Sequence, residues 1–293
     1  MTTKKVGLIG LGKMGSEIAA QLLNGKVNLS VWARTETTVF RWRERGALVA
    51  ESPKALANAC DIVLLCVTDT DAVESVLFAE NGIASAEKNL LIVDHSTIHP
   101  VATQQFAEKL ALSNRSRWLD IPVSGGPVGV RNRTLIGMAG GASVDLDEAL
   151  PVLSLYTAKI TRVGEVGSGQ ASKVVNQMLI GGNLAVLAEA LNYADNFGIN
   201  ASQLPDALAG GWADSNVLQV HGRRMVAADY SAEVDAAIML KDIDIALDMG
   251  ARTSSRMPVT ALVRKSYNKL IESGHRDKGQ SGLMYLFKQL PLK

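Results

Sequence analysis

VGLIGLGKMG, residues 6–15, decides the fold of this chain. Gly10, Gly12 and Gly15 form a turn after the apolar run 6–9, and the turn opens a helical pattern marked by Ile18, Leu22 and Leu23. Strand, glycine turn and helix in that order make a dinucleotide-binding motif out of a pattern that is weak on its own. Glycine lets the backbone bend tightly and approach a pyrophosphate, whose charge meets the free N–H groups and positive dipole end of the helix. The other reading of the same glycines is a turn that only packs helix on strand. A second strand, 29–32, leads to Arg34 and Thr35, 19 residues beyond Gly15, where such a fold usually places an acid against a ribose 2′-hydroxyl. Arg34 offers a permanently charged planar fork and Thr35 a hydroxyl, a pair suited to a 2′-phosphate. The segment Gly10, Leu11, Gly12, Lys13, Met14, Gly15, together with Arg34 and Thr35, is therefore expected to bind NADP(H) in preference to NAD(H).

Outward from this segment, strand and helix alternate. A helix over 36–45 is ended by Gly46, and Ser52 with Pro53 supplies a cap-plus-proline helix start. The apolar, β-branched runs 61–67 and 90–93 read as strands buried on both faces, with helices over 71–78 and 100–112. Strands at 118–121, 135–138 and 160–163 and a helix at 144–155 complete an α/β pattern, a Rossmann-type doubly wound parallel sheet. The alternation then stops. Residues 169–197 contain no proline and carry apolar residues at helical spacing, a single helix of about 40 Å. The later candidate segments, 204–208, 216–226, 234–249, 258–273 and a tail from Gly282, are all helical. Two domains are expected: a cofactor-binding domain over 1–165 and an all-α domain over 166–293 for substrate and oligomer contacts, joined by the long helix.

Composition narrows the function. The 30 Lys and Arg against 29 Asp and Glu leave a net charge of +1, interspersed, with no electrostatic footprint for nucleic acid or an anionic membrane. Arg41, Arg43 and Arg45 form the densest basic stretch and fit either a phosphate-attracting rim or a solvated face. Cys60 and Cys66 flank an apolar strand as small hydrophobes. His95, His99, His221 and His275 show no metal-ligand spacing, so no metal is expected. The N-terminal residues lack an apolar signal region and no uncharged stretch of about 18 apolar residues occurs, so a soluble cytoplasmic protein is expected.

Three constellations stand where an open α/β sheet binds ligands. Asp94, His95, Ser96 and Thr97 follow a strand; Ser96 and Thr97 either offer hydroxyls to substrate and nicotinamide or cap the helix that begins at Pro100. Val67 and Thr68, at the end of the neighbouring strand, are candidate cofactor contacts. Ser124, Gly125 and Gly126 follow another strand, as an anion-binding nest for a small carboxylate or as a structural turn. Gly167, Gly169, Lys173 and Asn176 open the long helix, and Lys173 and Asn176, three apart, share a face. A lysine there is either catalytic or, like most on helix surfaces, solvated.

Taken in register, GLIGLGKMG (7–15), DHSTIHP (94–100), DIPVSGG (120–126), GSGQASKVVNQ (167–177) and LKDIDIAL (240–247) resemble the β-hydroxyacid dehydrogenase family. That family includes 3-hydroxyisobutyrate dehydrogenase, tartronate semialdehyde reductase and glyoxylate/succinic semialdehyde reductase. The resemblance implies hydride transfer between a nicotinamide and a small hydroxy acid or its aldehyde or keto form. It implies that Ser124, Gly125 and Gly126 hold the substrate carboxylate, Lys173 moves the hydroxyl proton, Asn176 orients the substrate, Lys241 reaches the cofactor and Ser96 lies beside the nicotinamide. It also implies a homodimer or homotetramer sharing apolar helical surface of the second domain. Two positions depart from the family pattern: Arg133 stands for a glycine in the substrate loop, and Ala33 for the asparagine that commonly precedes the Arg-Thr pair.

In reduction the ammonium form of Lys173 is already the acid. In oxidation a neutral lysine near pH 7–8 requires a depression of about 2–3 units from the ordinary value near 10.4. Two other functions fit the same organisation: NADPH-dependent imine reduction, whose enzymes usually lack the lysine, and a catalytically silent binding module, which would be expected to have lost it.

Overall fold

A computed structural model describes residues 4–231 and 234–288, with the backbone alone at residue 36. The expected N-terminal lead-in at residues 1–3 and the end of the expected tail at 289–293 lie outside the described residues. The first unit runs β1 (Lys5–Ile9), α1 (Lys13–Asn24), β2 (Asn28–Trp32), α2 (Glu36–Glu44), β3 (Leu48–Val49), α3 (Pro53–Ala59), β4 (Ile62–Leu65), α4 (Thr70–Phe78) and β5 (Leu91–Asp94). It continues with α5 (Pro100–Asn114), β6 (Arg117–Asp120), β7 (Val123–Ser124), α6 (Gly126–Arg131), β8 (Leu135–Gly140), α7 (Ser143–Leu153) and β9 (Thr157–Gly164).

Side chains alternate across a strand, and here both faces are buried. Val6 and Leu8 of β1, Ile62 and Leu64 of β4 and Leu91 and Val93 of β5 join one apolar cluster with Ile18 and Leu22 of α1 and Ala149 and Val152 of α7. Ile9, Val63, Leu65 and Ile92, displaced by one position, join the other with Leu56 of α3, Val73 and Leu77 of α4 and Phe106 of α5. Helices on both faces explain why these strands are short and mainly apolar. The starts of α3 and α4 are set by side chains: Ser52 Oγ accepts the Ala55 N–H at 3.1 Å and Asp69 Oδ1 the Ala72 N–H at 2.8 Å.

The strand order is β3-β2-β1-β4-β5-β6-β8-β7, with β9 paired to β8. The expected parallel sheet is parallel from β3 to β6 and from β8 to β9, but β8 is antiparallel to β6 and β7. The reversal has a geometric reason. Only the short helix α6 and a turn separate β7 from β8, fewer residues than the dozen or more a parallel crossover needs. The brief strands β3 and β7 and helix α6 were not expected.

The chain divides into two compact units at Lys173, within α8 (Ser168–Phe197). The second unit continues through α9 (Leu204–Ala207), a helical stretch over 216–226 that ends in α10 (Arg223–Val226), then α11 (Ala236–Arg252), α12 (Pro258–Glu272) and α13 (Tyr285–Lys288). Its core packs Leu184, Ala188 and Leu191 of α8 against Met239 and Ile243 of α11 and Val263, Tyr267 and Leu270 of α12. Among the described helices α8 is long and apolar enough to cross a membrane by length and composition. Its apolarity is that of a core helix on the side that carries Leu184, Ala188 and Leu191.

Candidate functional site

The three glycines of the first turn have different reasons to be glycine. Gly10 has φ +98° and a Cβ there would overlap the Cys66 carbonyl; a Cβ on Gly15 would overlap the Gly10 carbonyl oxygen. Both are needed to fold α1 onto β1. Gly12, which precedes α1 without a side-chain cap, would place a Cβ with nothing within 4 Å. Packing does not require glycine at this position, whereas close approach of a ligand to the first N–H groups of α1 does. The residues present therefore fit a pyrophosphate. Leu11 is buried in the core and offers backbone alone, Met14 is half-buried, and Lys13 stands exposed on the first helical turn.

Arg34 and Thr35 are exposed just beyond β2. Thr35 precedes α2 without using its hydroxyl as a cap, and among the described residues the Arg34 guanidinium has no hydrogen-bond or ion-pair partner. Arg41 Nη2 donates to Ser16 Oγ at 3.1 Å, and Ser16 Oγ donates to the Leu11 carbonyl at 2.9 Å. Of the three clustered arginines, Arg41 thus belongs to the rim of the glycine turn, while Arg45 lies over the buried Trp42 ring at 4.7 Å.

The ends of β4 and β5 meet beside that turn. Val67 N–H donates to Ser96 Oγ at 3.0 Å, and Ser96 N–H to Asp94 Oδ1 at 2.9 Å. Helix α5 is capped by the His99 ring, which accepts the Val101 N–H at 3.2 Å, so Ser96 does not act as the cap. Thr68 Oγ1 donates to Asp69 Oδ2 at 2.9 Å, and Thr97 is half-buried on the same loop as Ser96. Beneath the loop, His95 bridges Ile121 O at 2.7 Å and Tyr156 Oη at 2.8 Å. Burial lowers His95 to about 4, and burial together with the Asp94 charge raises Cys66 to about 12, so at neutral pH the imidazole is neutral and the thiol protonated.

The loop after β6 and the start of α8 form one construction. Gly125 (φ +125°) and Gly126 (φ +64°) have positive φ, a half of conformational space that glycine alone enters freely. They turn β7 into α6 behind Ser124, whose hydroxyl has no partner among the described residues. Asp120 Oδ1 accepts the Gly167 N–H at 2.8 Å and Oδ2 the Gln170 N–H at 2.9 Å, which caps α8. Burial raises Asp120 to about 6 although these N–H bonds pull the other way. One turn on, Lys173 is buried and its Nζ donates to the Val123 carbonyl at 2.8 Å, one residue before Ser124. It is not a solvated surface lysine.

In the second unit, Asn176 Nδ2 donates to Gln177 Oε1 at 2.8 Å and Gln177 Nε2 to Asp242 Oδ2 at 2.6 Å. Asp242 in turn pairs through Oδ1 with Lys241 Nζ at 2.9 Å. Asn176 and Lys241, far apart in sequence, therefore end one polar chain. Lys241 also lines a cavity of about 470 Å³ with Leu240, Asp244, Asn268 and Arg276. Asp120, Gln170, Gln177 and Asp242 were not singled out from the sequence. All four stand inside the motifs that carried the resemblance, and their signal was a buried polar residue next to a site residue.

The profile of the NAD-binding domain of 6-phosphogluconate dehydrogenase matches residues 5–164, and that of the NAD-binding domain of NADP-dependent 3-hydroxyisobutyrate dehydrogenase matches residues 167–287. The 2-hydroxy-3-oxopropionate reductase of Escherichia coli is 35% identical, over 96% of each chain. The 2-(hydroxymethyl)glutarate dehydrogenase of Eubacterium barkeri is 29% identical, over 98% of this chain and 95% of its own. A Mycobacterium tuberculosis 3-hydroxyisobutyrate dehydrogenase solved with L-serine superposes with a TM-score of 0.88 at 26% identity, over 98% of this chain and 100% of that one.

Proposed function

From the premise that the chain belongs to the β-hydroxyacid dehydrogenase family of nicotinamide-dependent oxidoreductases, we propose that it is an NADP(H)-dependent enzyme acting on a small β-hydroxy acid or the corresponding semialdehyde. The observation that carries this reading is the buried Lys173 amine, held 2.8 Å from the Val123 carbonyl beside Ser124, Gly125 and Gly126. A carboxylate bound by the Ser124 hydroxyl and the glycine N–H groups brings the carbonyl of a short semialdehyde next to that amine. When bound, NADPH supplies the hydride that makes the new C–H bond. Lys173 gives a proton to the carbonyl oxygen as that bond forms, so that aldehyde, hydride and proton balance to alcohol; in the reverse direction it takes the proton back. Asn176 orients the substrate and Lys241 reaches the cofactor, as the family resemblance implies. Their link through Gln177 and Asp242 supports treating them as one element.

The choice of NADP(H) is supported by Arg34 and Thr35. Both are exposed at the end of β2 with the guanidinium and hydroxyl uncommitted among the described residues, and a guanidinium pairs with phosphate in a bidentate fork. A carboxylate at this point would repel the phosphate.

NADPH and NADH consumption over succinic semialdehyde, 2-hydroxy-3-oxopropionate, glyoxylate and a cyclic imine tests the proposal. Turnover of at least one semialdehyde acid with NADPH, and of the imine with neither cofactor, is expected. Turnover of the imine alone, or tight NADPH binding with no turnover at all, would overturn it.

The expected homo-oligomer is supported by α8. Val175, Leu179, Val186, Tyr193 and Phe197 are all exposed, at spacings of 4, 7, 7 and 4 that keep them along one side of the helix. A second copy of the chain is the occupant that suits an apolar stripe of this length in a metabolic enzyme.

A further inference from the structure

Gln170 is fully buried in the first turn of α8. Its side chain spans the loop after β5. Oε1 accepts the Ile98 N–H at 3.1 Å and Nε2 donates to the Ser96 carbonyl at 2.7 Å. Its backbone N–H binds Asp120 Oδ2 at 2.9 Å. Lys173 follows three residues later on the same helical face and binds Val123 O at 2.8 Å, while Ser96 receives the Val67 N–H at 3.0 Å. A single arc thus runs across the carboxyl ends of β4, β5 and β6, from Val67 through Ser96 and Gln170 to Lys173 and Val123. In an open α/β sheet those strand ends bind the ligand.

We propose that Gln170 is a positioning residue that couples the cofactor-side loop, residues 96–98, to the turn of α8 that carries Lys173; this rests on Lys173 being the proton donor. An amide is the uncharged group of this reach that donates and accepts at once, as the facing carbonyl and N–H require. Methionine in its place leaves both backbone groups buried without partners. Glutamate keeps the bond from Ile98 but donates to Ser96 only while protonated. Asp120, the titratable group bound to the same turn, is common to all the variants, so its own contribution to a pH profile cancels between them. His95, on the same loop, is likewise common.

The test compares Gln170→Met and Gln170→Glu with the unaltered protein, in full-length form, on a substrate found by the panel above. A displacement of about 1 Å at a reacting centre costs about 10²-fold in rate. Gln170→Met is therefore expected to lower kcat by about 10- to 10²-fold with KM and the NADPH Kd little changed, and to raise the isotope effect on kcat with 4-deuterated NADPH. Gln170→Glu is expected to show an additional descending limb in kcat where the introduced carboxyl ionises, below any limb that the Lys173 ammonium gives to both proteins. In a Lys173→Ala background, Gln170→Met is expected to cost little more. Unchanged kcat in a folded Gln170→Met protein, or equal losses in both backgrounds, would overturn the inference. If Gln170→Met does not fold, the Gln170→Glu profile decides alone, and a profile like that of the unaltered protein counts against it. Full turnover by Lys173→Ala would instead remove the reading beneath it.

Discussion

Asp120 Oδ1 accepts the Gly167 N–H at 2.8 Å, so the last residue of β6 caps the helix that carries Lys173, and the loop that follows it presents Ser124. One carboxylate thereby sets the spacing of two functional segments. Its environment works against it, because burial raises Asp120 to about 6 from an ordinary 3.8. A carboxyl whose folded value is raised contributes stability below pH 3.8 that is lost as pH rises through 6, worth about 3 kcal/mol by pH 7.

Asp120→Asn removes that dependence. The stability of the unaltered protein minus that of the variant, from urea unfolding, is expected to fall by about 2–3 kcal/mol between pH 4 and pH 7. His95 and His221, both lowered to about 4 by burial, contribute stability above pH 6.5 that is lost as pH falls through 4; they are present in both proteins and cancel. A difference that stays flat with pH would show that Asp120 does not titrate in this range.

Gly12 and Gly15 separate ligand from fold. A Cβ on Gly12 meets nothing within 4 Å, and one on Gly15 collides with the Gly10 carbonyl. Gly12→Ala is expected to keep the melting temperature within about 3 °C while weakening cofactor binding at least about 10-fold; Gly15→Ala is expected to lower stability by more than about 2 kcal/mol. Equal losses of stability in both would contradict this division.

Arg34→Ala is expected to weaken NADPH binding by about 10- to 10²-fold, the loss of a charge-assisted pair worth about 1.5–3 kcal/mol. NADH binding should stay within about 2-fold. Titration calorimetry with both cofactors reads the two effects together, and equal weakening would show that Arg34 does not sense the 2′-phosphate.

Strands β1, β2, β4, β5 and β6 were legible in the sequence because each is a mainly apolar run between turn signals, and burial on both faces suits such runs to a parallel sheet; the two-residue β3 was not. The antiparallel return at β7 and β8 was not, because a two-residue strand such as Val123–Ser124 has no periodicity to read. Single residues divide in the same way. Lys173 and Ser124 lie in motifs that carry the family resemblance, whereas the partners of Gln170, at Ser96 and Ile98, are more than seventy positions away in the chain. Pairings at that distance exist only once the fold has formed.

The exposed stripe on α8 gives a prediction about assembly. Leu179→Glu and Val186→Glu each place a charge on it, and light scattering after gel filtration is expected to show a lower molecular mass than for the unaltered chain, with the melting temperature concentration-dependent only in the latter. An unaltered chain that stays monomeric as its concentration is raised would leave the stripe without the partner assigned to it.

The most direct measurement is the turnover of Lys173→Ala with NADPH and a semialdehyde acid that the unaltered protein reduces. Loss of the acid beside Val123 and Ser124 is expected to lower kcat by about 10²-fold or more, with the NADPH Kd nearly intact. A kcat within a few-fold of the unaltered protein would show that the proton comes from elsewhere.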